Sequence, residues 1–71
     1  MIRKKSLREI EYEIKEFFKS KCYVKSKVDY DENKIVFFIE SGNIERDVPY
    51  IINAISNFER TYPDVNLFFD Y

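Results

Sequence analysis

Ile35-Val36-Phe37-Phe38-Ile39 is an uninterrupted run of apolar, strand-favouring residues. Its length suits a strand and falls short of a helix. Successive side chains on a strand point to opposite faces, so this strand presents apolar groups on both sides. A chain of 71 residues has room for one domain. A core of that size rarely supplies more than ~3–5 kcal/mol unless a disulfide, a metal or a partner chain adds to it. One face of the run can be covered from within, and the sequence poses the question of what meets the other.

The residues around the run supply the cover. In Ser6–Ser20, Leu7, Ile10, Ile14, Phe17 and Phe18 fall at helical spacing. Ser6 and Glu9 have the spacing of a capping box, and Glu11 and Lys15 that of a favourable i,i+4 pair. Lys21–Tyr30 alternates instead. Cys22, Val24, Ser26, Val28 and Tyr30 share one face, and Tyr23, Lys25, Lys27 and Asp29 the other, the pattern of a half-buried strand. Asp31-Glu32-Asn33 supplies turn chemistry, so the two strands form an antiparallel hairpin. A two- or four-residue loop puts Val24 and Val28 on the same face as Ile35, Phe37 and Ile39. A one-residue slip would exchange the faces, and the more apolar set is expected inward.

After Ser41-Gly42-Asn43, where the only glycine suggests an unusual backbone angle, a second helix is expected with Asp47 as N-cap and Pro49 in its first turn. Val48, Ile51, Ile52, Ile55, Phe58 and Tyr62 form its apolar stripe, and Pro63 stops it. Asp64–Tyr71 alternates again, with Val65, Leu67, Phe69 and Tyr71 against Asn66, Phe68 and Asp70. The order is α-β-β-α-β. This is an α+β two-layer sandwich with both helices on one face of a three-stranded sheet, and a right-handed crossover leading to the last strand. The simplest layout places strand three beside strand one, leaving strands two and three as edges. The whole of 1–71 reads as one domain, with Met1–Lys5 as a basic arm.

Two helices on one face leave the other open. The open face is expected to carry Tyr23, Lys25, Lys27, Val36, Phe38, Glu40, Phe68 and Asp70, joined by Asp29, Lys34 and Asn66. Its centre is Tyr23, Val36, Phe38 and Phe68, ringed by charges of both signs, which is the layout of a protein-interaction site. A protein partner is the expectation, with homodimerisation through Phe38 and Phe68 as its sharpest form. The sheet edges offer a second way to pair with a partner strand. Two other readings compete. In one, the aromatics serve only strand formation, sheltered by lysine stems or by the arm. In the other, Tyr23, Phe38 and Phe68 stack the bases of single-stranded RNA, while Lys25 and Lys27 meet its phosphates. Against RNA stand Glu40, Asp29 and Asp70 on the same face, and a net charge of −1 from 12 basic and 13 acidic residues.

The chain lacks histidine, has one cysteine and one glycine, and so offers none of the usual zinc sites, histidine-based general bases or glycine-rich phosphate loops. Glu9, Glu13 and Glu16 read as a solvated helix face. A sandwich this small is expected to leave little room for a pocket of ~300 Å³ or more. No catalytic residue, cofactor or metal is assigned, and a non-enzymatic role is expected. Lone Cys22 reads as a small core residue and fits a reducing compartment. With neither a signal-peptide pattern nor a membrane span, the expected location is cytoplasmic.

The α-β-β-α-β order is similar to that of BON domains and of ring-building modules of secretion systems, with Asp31-Glu32-Asn33 standing where a BON hairpin carries glycines. In size and in its richness in Lys, Ile, Asn, Phe and Tyr, the chain resembles small accessory or inhibitor proteins of phages and mobile elements. Those proteins act by occupying a partner's surface.

Overall fold

The computed structural model describes residues 5–71, so Met1–Lys4 of the basic arm lie outside the described residues. The element order is α1 (Leu7–Phe18), β1 (Cys22–Asp29), β2 (Lys34–Ser41), α2 (Ile44–Thr61) and β3 (Asn66–Asp70). The fold is α+β, with both helices on one face of a three-stranded mixed sheet.

Helix α1 starts where its sequence says it should. The Ser6 hydroxyl accepts from the Glu9 amide, and the Glu9 carboxylate accepts from the Ser6 amide, completing the capping box. Ile10, Ile14 and Phe18 are buried. Glu11 does not take the i,i+4 partner its spacing offered. It pairs with Arg8 at 3.3 Å and accepts from the Ser26 hydroxyl at 2.6 Å. Ser26 is a polar residue on the inner sheet face, and a carboxylate from the helix above it satisfies its hydroxyl.

The hairpin has the register that gathers the apolar set inward. A four-residue loop, Tyr30–Asn33, pairs Asp29 with Lys34, Val28 with Ile35, Ser26 with Phe37 and Val24 with Ile39. Asn33 takes the left-handed conformation at φ 51°, which asparagine tolerates. Ile35 and Phe37 are fully buried, and Phe37 stacks on Phe69 with ring centroids 5.1 Å apart.

The strand order is β1-β2-β3, which corrects the expected neighbour of β3. It runs parallel to β2, pairing Lys34 with Asn66, Val36 with Phe68 and Phe38 with Asp70. The apolar run is thus the central strand and the edges are β1 and β3, not β2 and β3. Two causes are visible. The most apolar strand gains cover from neighbours on both sides, and the hairpin turn holds the start of β3. Asn33 Nδ2 donates to the Asp64 carbonyl at 2.6 Å, the Asn66 amide donates to the Asn33 carbonyl at 3.0 Å, and Asn66 Nδ2 donates to the Glu32 carbonyl at 3.0 Å. Asn33→Ala is expected to destabilise the fold by about 2 kcal/mol, from the left-handed backbone and the lost side-chain bond. Asn33→Gly, which keeps the backbone freedom, should lose about half as much. Urea unfolding measures both, and equal losses would mean that the backbone angle contributes nothing.

Three local expectations for the second half are corrected. Helix α2 begins one turn earlier, capped by Asn43, whose side chain accepts from the Arg46 amide. Pro49 therefore lies in the second turn, where it costs one helical hydrogen bond. Asp47 is recruited elsewhere. Only 2% exposed, it accepts from the Ser41 hydroxyl at the end of β2 and from Arg46 Nε at 3.0 Å. Gly42 has no positive φ, and an added Cβ would meet nothing within 4 Å. On the inner side of α2, Ile51 is buried and Ile55, Phe58 and Tyr62 pack against the core as expected, but Ile52 is exposed and Ala54 is buried.

Candidate interaction face

The side of the sheet away from the helices carries four rungs of side chains, set by the pairing. Tyr23 lies beside Glu40. Next comes Lys25–Phe38–Asp70, then Lys27–Val36–Phe68, and last Asp29–Lys34–Asn66. Tyr23 is 61% exposed, Phe38 45% and Phe68 54%, while Val36 is half-buried between its neighbours. All eight residues expected on this face are there: Tyr23, Lys25, Lys27, Val36, Phe38, Glu40, Phe68 and Asp70.

The central position of β2 gives the face its form. Val36 and Phe38 make an apolar ridge down the middle, with Lys25 and Lys27 along one flank and Phe68 and Asp70 along the other. Lysine stems shelter part of it, since Lys25 Nζ stands 5.8 Å from the Tyr23 ring centre and Lys34 Nζ 5.6 Å from that of Phe68. Among the described residues, no cation stands over the Phe38 ring.

The helix side departs from the expectation of little cavity space. An open groove of about 500 Å³ runs between the helices, lined by Glu13, Glu16, Phe17 and Phe58 among others. Its carboxylates are engaged. Glu13 meets Lys5 at 2.6 Å and accepts from the Tyr62 hydroxyl, and Glu16 lies 3.6 Å from Lys19. Lys5, and behind it Tyr62, holds the Glu13 carboxyl below its ordinary range. Glu13 is thus a tie between α1 and the end of α2 rather than part of a solvated face. Phe17, partly exposed, stacks on Tyr50 at 5.5 Å and meets Phe58 edge-on at 5.3 Å, joining the two helices.

Cys22 is buried beside Ser41. Burial first, and then the charge of Asp47, push its thiol up, away from the thiolate form that reacts. Among the described residues, no group of three or more His, Cys, Asp or Glu side chains stands ready for a metal ion, and no helix is long and apolar enough to cross a membrane. Comparison with protein-family models, curated proteins and solved structures gave no match.

Proposed function

We propose that this chain is a non-enzymatic interaction protein that contacts another protein through the open face of its sheet. The observation that carries the reading is the cluster of Tyr23, Phe38 and Phe68, each 45–61% exposed, around half-buried Val36 on one face. A chain this small gains stability by covering apolar surface. Leaving three aromatic rings on one face forgoes part of that gain. An apolar centre with Lys25, Lys27, Glu40 and Asp70 around it suits a protein surface of mixed charge. The mixed signs suit nucleic acid less well, because Asp29, Glu40 and Asp70 would face phosphates. A small accessory or inhibitory role in the cytoplasm, in a phage or mobile element, is the setting that fits this reading.

A photoreactive amino acid in place of Phe38, compared with one in place of exposed Tyr12 on the helix side, tests the proposal in the native cells. Protein adducts are expected from position 38 and not from position 12. Equal adducts from both positions, or none from 38, would overturn the reading. RNA adducts from 38 that vanish in Lys25→Glu/Lys27→Glu would replace it with single-stranded RNA binding.

A further inference from the structure

We infer that the occupant of the open face is a second copy of this chain, stacked face to face about a two-fold axis that runs along β2. This rests on the proposed function and names the partner. The argument is the order of charges across the rungs. A two-fold axis along the central strand carries β1 of one copy over β3 of the other and keeps each rung at its own height. In the second rung, Lys25 then meets the partner's Asp70 on both flanks, while Phe38 meets the partner's Phe38 at the centre. In the third, Lys27 comes over the ring of the partner's Phe68, and Val36 meets the partner's Val36. An isologous interface must be self-complementary in this way.

The other two-fold arrangement, with its axis across the strands, fails the same test. Centred between the second and third rungs, it lays Lys25 over the partner's Lys27 and gathers four lysines into one strip. The axis along β2 does bring Lys34 and Glu40 near their own copies. Both stand in the end rungs, and aligned sheets cross at about 30°, which carries the ends of the two β2 strands apart while the centre stays in register.

The size of the face sets the strength. Strands about 4.8 Å apart, two of eight residues and one of five, make a contact in the size range of weak, transient interfaces. Association is therefore expected in the micromolar range, and light scattering coupled to size exclusion, from about 1 µM to about 1 mM, is the measurement. The parent is expected to pass from monomer to dimer over that range, and Phe38→Glu to remain a monomer with an unchanged circular dichroism spectrum. Lys25→Asp and Asp70→Lys should each weaken the dimer roughly 10-fold, and the two together in one chain should restore most of it. The charge swap leaves the apolar residues in place, so it remains informative if Phe38→Glu does not fold. A parent that stays monomeric at 1 mM, or a double swap no stronger than its single members, would overturn the inference. Foreign-protein adducts at position 38 from such a monomer would leave the proposed function standing, whereas no adducts at all would remove both.

Discussion

Phe37→Ala is expected to unfold this protein, whereas Phe38→Ala, one residue along, should leave it folded. Phe37 is fully buried and stacked on Phe69. Removing such a ring costs about 3–5 kcal/mol, as much as a core of this size supplies. Phe38 points the other way, 45% exposed between Lys25 and Asp70, and its truncation should cost about 1 kcal/mol or less. Circular dichroism with urea titration separates the two outcomes. A folded Phe37→Ala beside an unfolded Phe38→Ala would mean that the hairpin is shifted by one residue and the faces are exchanged.

Acid should unfold the chain, and Asp47 should be a main reason. The Arg46 guanidinium, and after it the Ser41 hydroxyl, hold the Asp47 carboxyl below its ordinary 3.8. Lys5, and then Tyr62, hold Glu13 below its ordinary 4.5. A carboxyl depressed in the folded state contributes stability above its unfolded value and loses it as pH falls through the folded one. Resistance to urea should therefore be full at pH 6 and fall steeply below about pH 4. Asp47→Asn cannot titrate. It should be weaker than the parent at pH 6, show a shallower decline, and converge with the parent in strong acid. A decline as steep as the parent's would show that Asp47 is not a source of the acid sensitivity. Glu13→Gln serves as the parallel measurement on the other side of the fold.

Local chemistry made much of this structure legible. Ser6 and Glu9 announced the start of α1, and alternation in β1 and β3, with the more apolar set of the hairpin turned inward, placed every side chain of the open face, although the loop could have had two residues or four. What escaped the reading was non-local or ambiguous. Asn43 and Asp47 are both competent caps, and only the nearness of Ser41 shows why the aspartate serves the strand end instead. Ala54 carries too little hydropathy to mark a buried position, while Ile52 carries enough to suggest one that is exposed. The place of β3 depends on bonds between Asn33 and residues more than thirty positions later, and no periodicity records those. The apolar run itself held the clue, because a strand greasy on both faces gains most at the centre of a sheet.

The bonds at Asn33 also bear on the order of assembly. A hairpin closes in about 1–10 µs, whereas β3 must return past an 18-residue helix before it can pair. The Asn33 carbonyl and amide reach their places only once the turn has formed, so the last strand joins a finished template. Until it does, β2 is an edge, with the backbone groups of its most apolar stretch unpaired. In that interval the chain is most open to capture by the same strand of another copy. The contact that orders the sheet is thus also what closes its aggregation-prone edge.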